Sequence, residues 1–434
     1  MSNTEYEQLV ANARAGKPDA QFLLSQLRGQ AGDLDGMFSW LQKAGASGVP
    51  DALGALGFCY EKGQGVAADV AKALDYYDQA VTAGSRIAAL HKAQLLHKSK
   101  TALEKTVLIR DLLYDAAGAD VVPALRAVGY LALQQAATGK LAIGCLGRAA
   151  SMGDPVSAFM LGWHLAGSGD EGQGSDAAYW LQLAAKANYP LAAEILASQS
   201  GKTVPTRPSA TREAIEFDTE LPLFPEASGS DPDVLCSDPP ITLFKDVLTE
   251  ADCAYLIYLS RPQMKRAQVI DPDGNEKGQV SGVRTSMSTY IPFEMVDIIG
   301  RYIELKIVSA GNEDLLSSEP MSILRYAPGE YYRPHVDYFN PKLEVSRELM
   351  QDGGQRTASA ITYLTVPRVG GGTSFPRLDI TVPPVAGGTL WFRNCLNNGQ
   401  IDERSLHAGD TVVEGEKWVV TKWFREKPTQ YMPI

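Results

Sequence analysis

Two periodicities divide this chain. From about residue 8 to 199, apolar positions recur at helical spacing in a background of Ala, Leu and Gly; beyond residue 238, short apolar runs between glycine-rich turns take over. Residues 51–84 show the first pattern best. Ala52, Leu53, Leu56, Gly57 and Tyr60 fall on one helical face, and Gly63-Gln64-Gly65-Val66 reads as a turn. Asp69 is placed to cap a second helix, whose apolar stripe is Ala73, Leu74, Tyr77 and Ala80, with Gly84 at its C-terminal cap. Small-residue helix starts return at Ala20, Ala89, Ala124, Ala158 and Ala192. A period of roughly 32 to 37 residues predicts an all-α helical-repeat solenoid over residues 1–199.

Residues 200–237 change character, with Pro and Ser in quantity and little periodicity, and read as a linker or extended arm. Residues 238–434 form the second domain. Helices are expected at Glu250–Ser260 and near 293–309, a turn at Asp271-Pro272-Asp273-Gly274, and strands at Met321–Tyr326, 357–366, 390–393 and 418–424. Strands separated by Gly370–Gly372 and Gly387-Gly388 argue an antiparallel double-stranded β-helix, a jelly-roll relative, with flanking helices. The chain is therefore read as multidomain α + β.

Candidate chemistry lies in the second domain. In an extended strand His335 and Asp337 point the same way, an imidazole and a carboxylate aimed at one point. His407 follows in Ser-Leu-His-Ala-Gly. Of five His in the chain, only His335 and His407 lie beyond residue 200. Two His and one carboxylate on a β scaffold form the facial triad of non-haem Fe(II) oxygenases. The bland alternative, an ordinary strand histidine pair, does not account for the domain's only two His falling at both ligand positions. Lys417 opens an apolar run that is placed to return beside the second His, whereas Lys422 points to the other face and is expected to be exposed. Cys395 reads as a packed thiol before a soft ligand, and His91, His97 and His164 as non-ligands. Trp40, Tyr76, Trp163 and Trp180 read as core.

Composition removes several classes. A net charge of −11 with no Lys/Arg cluster disfavours a nucleic-acid partner. The N-terminus lacks the basic and apolar regions of a secretory signal, and no run of about 18 apolar residues is present to span a membrane. Five scattered Cys without Cys-x-x-Cys spacing point to a reduced, cytoplasmic protein.

Several separated motifs then agree in order with one family. Pro240-Ile241-Thr242-Leu243-Phe244, Leu248 to Cys253, Val283-Arg284-Thr285-Ser286, and Tyr326, Gly329, Tyr332, His335, Asp337 and Tyr338 come first. Gly353-Gly354-Gln355-Arg356, Gly371 to Pro376, Arg404 to Gly409 and Lys417-Trp418 follow. Over about residues 238 to 427 the chain resembles the prolyl 4-hydroxylase type of 2-oxoglutarate- and Fe(II)-dependent dioxygenase. The resemblance implies Fe(II) on His335, Asp337 and His407, with 2-oxoglutarate and O2 as cosubstrates and L-ascorbate as a further cofactor. It also implies that Lys417 and Tyr326 bind the cosubstrate, and that Tyr332, Arg356 and Trp423 line the substrate entrance. The chain departs from the family at Arg425, where some members carry His, and at Gly370–Gly372 and Gly388, where acidic residues are found. The resemblance thus carries iron and cosubstrate binding, not a collagen-like substrate. The first half resembles SEL-one-like repeats, relatives of tetratricopeptide repeats, which present surfaces to proteins and peptides.

The leading reading is a hydroxylase of a prolyl or other residue in a protein or peptide recruited by the repeats. Two others stand beside it: an oxygenase of a small molecule, free amino acid or peptide natural product, and an interaction scaffold with an inactive oxygenase domain. The intact set His335, Asp337, His407 and Lys417 argues against the scaffold.

Overall fold

The computed structural model describes residues 1–168, 171–198, 215–226, 232–267 and 284–430. The expected turn at residues 271–274, Val283 and more than half of the linker 200–237 lie outside them; the linker's last stretch, Asp233–Ser237, is not linker but a strand paired to the next one. The described residues fall into two compact units, one taking 1–161 and 215–223, the other 162–168, 171–198, 224–226, 232–267 and 284–430. The division falls inside the helix Pro155–Gly167 rather than at the expected boundary at 199.

First-of-pair helices begin at Pro18, Pro50, Arg86, Val122, Pro155 and Ala192, at intervals of 32 to 37 residues. Local chemistry sets their ends. Pro at the first helical position suits Pro18, Pro50 and Pro155, because an N–H there has no helical partner. The Asp69 side chain accepts the Lys72 N–H at 3.0 Å and starts Val70–Thr82. Pairs of helices pack through small residues. A Cβ on Gly57 would lie 2.6 Å from the Tyr77 ring, so glycine is what lets Pro50–Lys62 and Val70–Thr82 approach. Trp180 is buried as expected, whereas Trp40 and Tyr76 are only partly so. His97 is buried with Nε2 2.9 Å from the carbonyl of Leu223.

The second unit carries the sheets. Its described strands, in chain order, are β1 (Asp233–Ser237), β2 (Pro240–Phe244), β3 (Lys265–Arg266), β4 (Met287–Ile291), β5 (Met321–Tyr326), β6 (Tyr332–His335) and β7 (Arg356–Thr365). Then come β8 (Val369–Gly370), β9 (Thr373–Phe375), β10 (Ile380–Val382), β11 (Thr389–Arg393), β12 (His407–Gly409), β13 (Val412–Glu414) and β14 (Lys417–Arg425). A large sheet runs β1-β2-β11-β7-β14-β5-β4-β3, a smaller one β10-β9-β12-β6, and β13 pairs β8. Every pairing is antiparallel. One apolar core joins the two larger sheets, with Leu243, Leu324, Tyr363 and Leu390 from one side and Phe375 and Val382 from the other. This is the expected jelly-roll arrangement.

Helices cover the outer face of the large sheet. Glu250–Ser260 starts with a capping box between Thr249 and Asp252. The expected helix near 293–309 is a short 3-10 turn, Phe293–Met295, followed by Ile298–Ala310, because Asp297 accepts the Gly300 N–H at 2.9 Å and sets the start there. In the same unit the Tyr189 ring sits 5.0 Å from that of Tyr258, and Trp163 Nε1 donates to Glu250 Oε2 at 3.0 Å. Trp163 and Tyr189 thus pack against the helix Glu250–Ser260. No helix among the described residues is long and apolar enough to cross a membrane.

Candidate metal and cosubstrate site

The site lies where the small sheet meets the core. His335 ends β6 and His407 opens β12, and the two are direct partners across that ladder. Their ring centroids are 4.2 Å apart. Asp337 is not in a strand, as alternation from His335 had predicted, but in a bend two residues beyond it. Its carboxylate still reaches the same point: Oδ1 lies 3.8 Å from His335 Nε2 and Oδ2 3.7 Å from His407 Nε2. One ligand atom from each residue falls within 4.8 Å of the others, the only such trio among the described residues.

Backbone and core hold these groups. His335 Nδ1 is 2.9 Å from the carbonyl of Arg333, and His407 Nδ1 is 2.9 Å from that of Ser405. Both rings therefore turn Nε2 inward, the outer hydrogen bond fixing tautomer and orientation as in metal-ligating imidazoles. Tyr332 stacks on His335, and the Phe392 ring lies 4.7 Å from His407. Burial and the neighbouring His407 push His335 below its ordinary value, which favours the neutral ligand form. Burial alone would raise the Asp337 carboxyl, but His407, His335, Arg356 and the Ser359 hydroxyl together hold it below the usual range.

Across the cavity, β14 brings Lys417 opposite Tyr326 of β5. Lys417 does not return beside His407, as the sequence had implied; the two stand on different sheets facing one cavity of about 500 Å³. Its side chain is 3 % exposed, its Nζ donates to the Gly372 carbonyl at 3.2 Å, and burial lowers the ammonium to about 8. The glycine run makes room for it. Gly371 has φ of +73°, and a Cβ there would lie 3.3 Å from Lys417 Cδ and 2.7 Å from Pro367. Tyr326 is buried, and its hydroxyl is pushed up by burial while Arg284 and Ser286, themselves joined by an Arg284 Nε to Ser286 Oγ bond of 3.2 Å, act the other way.

Tyr332, Arg356 and Trp423 line the same cavity. Arg356 is more occupied than the sequence implied. Nε and Nη2 each donate to Glu319 at 2.7 Å, Nη1 lies 3.3 Å from the Asp337 carbonyl, and the guanidinium sits 4.0 Å over the Trp423 ring. Arg425 donates to Glu319 at 2.8 Å and to the carbonyls of Leu349 and Gly354, so it braces the loop before β7. Sequence reasoning missed Glu319, a single acidic residue before β5 without a motif around it. Cys395 is a packed thiol, 3.7 Å from the Arg356 carbonyl and pushed up to about 11 by burial.

One expectation is overturned. Lys422 was expected to be exposed; it is fully buried. It does point away from Lys417, but the helix Ile298–Ala310 covers that face. Lys422 Nζ is paired with Glu304 there, which Arg301 also holds at 2.8 Å.

Two facing β-sheets with two imidazoles and a carboxylate converging between them define the class of non-haem iron oxygenase scaffolds. The family model of the 2OG-Fe(II) oxygenase superfamily matches residues 321–425. Prolyl 4-hydroxylase 1 of Arabidopsis thaliana is 34% identical over 212 residues, covering 46% of this chain and 73% of that relative. Among solved structures, the viral collagen prolyl hydroxylase from Paramecium Bursaria Chlorella virus-1 is 25% identical, with a TM-score of 0.33, covering 44% of this chain and 98% of that one. A Sel1 repeat protein from Oxalobacter formigenes is 20% identical, with a TM-score of 0.37, covering 47% and 93%. The chain belongs to the 2OG-Fe(II) oxygenase superfamily and is of the prolyl 4-hydroxylase type. It is a 2-oxoglutarate-dependent dioxygenase, of a family that works with Fe(II), 2-oxoglutarate and O2.

Proposed function

We propose that this enzyme hydroxylates a prolyl or other residue of a protein or peptide, and that its helical repeats recruit that target. In this reading His335, Asp337 and His407 hold the Fe(II). The observation that carries it is the convergence of the three ligand atoms within 4.8 Å, in the cavity that also holds buried Lys417. Two imidazoles and one carboxylate fit Fe(II) and leave coordination positions open. When bound, the metal with 2-oxoglutarate and O2 supplies the oxidising chemistry, with succinate and CO2 released.

The chain's own residues do the rest. Lys417 offers a point charge to the distal carboxylate of 2-oxoglutarate, and Tyr326 a hydroxyl beside it. Tyr332 and Trp423 line the entrance with part of each ring already covered, Tyr332 by His335 and Trp423 by Arg356, so a substrate ring meets what these neighbours leave open. Arg356, held by Glu319, keeps its plane against Trp423 and leaves little donor capacity for a substrate carbonyl. A helical surface tethered to this site raises the local concentration of a bound target without new contacts at the metal. The five cysteines are free, four of them buried, which fits a reducing cytoplasm.

The test is to incubate the full chain with Fe(II), 2-oxoglutarate and fractionated cell protein, then follow succinate and mass spectra. A protein should gain the mass of one oxygen, and the His407→Ala variant should give none. Succinate formation stimulated by free amino acids, with no protein oxidised, would replace this reading with that of a small-molecule oxygenase.

A further inference from the structure

We propose that Ser359 and Asn394 are positioning residues that lock the Asp337 carboxylate so that it presents one oxygen, Oδ1, to the metal. The inference rests on the reading above, in which Asp337 is a ligand. The need for such a device comes from the fold. His335 and His407 are fixed by the β6–β12 ladder, but Asp337 sits in a bend beyond β6, where no strand pairing restrains its side chain.

Ser359 supplies the restraint from β7. Its Oγ donates to Asp337 Oδ2 at 2.7 Å, and the residue is fully buried. A hydroxyl has one proton, so its direction matters. Asn394, just past β11 and also fully buried, settles that direction: its Nδ2 donates to Ser359 Oγ at 2.9 Å. With its oxygen taken up as acceptor, Ser359 keeps its proton for Asp337. The opposite amide orientation would draw the Ser359 proton to Asn394, leave Asp337 Oδ2 facing a lone pair and strand two buried N–H groups. As it stands Asn394 Nδ2 has Ser359 Oγ as its partner and Oδ1 has none. Asn394 is itself anchored, its N–H on the Thr357 carbonyl at 2.8 Å and its own carbonyl accepting from Asp402 at 2.9 Å. The chain of donors thus runs Asn394 to Ser359 to Oδ2, and Oδ1 keeps its lone pairs free. Outer hydrogen bonds of this kind tune metal affinity by about 10- to 100-fold.

The probe is Co(II) titrated into the metal-free full chain, read by its visible absorption and dissociation constant. His407→Ala is the control for the ligand set. Ser359→Ala should weaken Co(II) by about 10- to 100-fold and change the absorption, because the freed carboxylate can offer both oxygens. Ser359→Thr, which keeps the hydroxyl, should restore most of the affinity. Asn394→Ala should weaken Co(II) less, and the Ser359→Ala/Asn394→Ala double variant should be no worse than Ser359→Ala alone, since Asn394 acts only through Ser359. If wild type and His407→Ala bind Co(II) equally, the ligand assignment fails. If wild type binds and Ser359→Ala matches it in affinity and spectrum, the ligands stand and this inference falls. Additive losses in the double variant would also overturn it. Should Ser359→Ala not fold, Asn394→Ala alone decides: unchanged affinity and spectrum refute the relay.

Discussion

In the helical unit the deepest positions hold mostly alanine and leucine, with Tyr77 seated against Gly57. At the same depth the β unit holds Glu304, Lys422, Lys417, Glu319, Arg425 and Asp337. Small residues let helices approach, and most of the packing joins helices adjacent in the chain, with His97 and Tyr114 reaching further, to Leu223 and Thr219. The buried charges of the β unit have partners far away in the chain: Lys422 pairs with Glu304, and Glu319 is gripped by both Arg356 and Arg425. Burying a charge is tolerable only with its partner present, so removing one member costs more than trimming an apolar side chain of similar size. The helical unit should therefore yield gradually to substitution and the β unit abruptly.

The largest effect is expected at the ligand set. His407→Ala removes one of the two imidazoles of the ligand set, and succinate formation should fall to background while the melting of the helical unit, followed by circular dichroism, stays unchanged. Next comes Lys422→Ala. It leaves Glu304 buried with Arg301 alone, and should destabilise the β unit by about 3–5 kcal/mol in urea unfolding. A loss under about 1 kcal/mol would erase the contrast drawn above.

Lys417→Ala acts on the cosubstrate rather than the fold. The lost charge-assisted bond is worth about 1.5–3 kcal/mol, so the 2-oxoglutarate requirement should rise roughly 10- to 100-fold with metal affinity nearly unchanged. The same lysine sets a pH dependence. Burial lowers its ammonium to about 8 without cosubstrate, and a carboxylate binds only the charged form. Affinity for 2-oxoglutarate should be full below about pH 8 and decline above it, by up to tenfold per unit. Dissociation constants of the metal-loaded chain across that range check it; affinity that rises with pH would reverse the role. The smallest effect is expected back in the helical unit, where Asp120 pairs with Arg148 on the exposed surface. Arg148→Ala, which leaves the left-handed backbone of Asp120 untouched, should change stability by less than about 1 kcal/mol, since solvent and salt screen such pairs.

The sequence alone determined the features that repeat or that sit close along the chain. Helix starts, the Asp69 cap and the Ala/Gly faces were legible because a helix closes its hydrogen bonds within four residues and shows its buried side every turn. The strands Met321–Tyr326 and β11 were legible from apolar runs between glycine turns, to within a residue or so. His335 and His407 could be paired from the sequence alone, because the domain offers no other imidazole. Tertiary structure decided what stands behind each of these groups. Alternation told that Lys422 faces away from Lys417, but not that the helix Ile298–Ala310 covers that face and brings Glu304 to it. Ser359 reads in sequence as one polar residue in a strand, and Asn394 as one more residue of a loop. Their meaning depends on partners 22 and 35 residues away. Glu319 reaches Arg425 across 106. Sequence patterning carries periodicity and residue type. It does not carry which distant side chain fills the remaining hydrogen-bond position of a buried group, and in this protein that choice is made by the packing of the two sheets and the helices on their outer face.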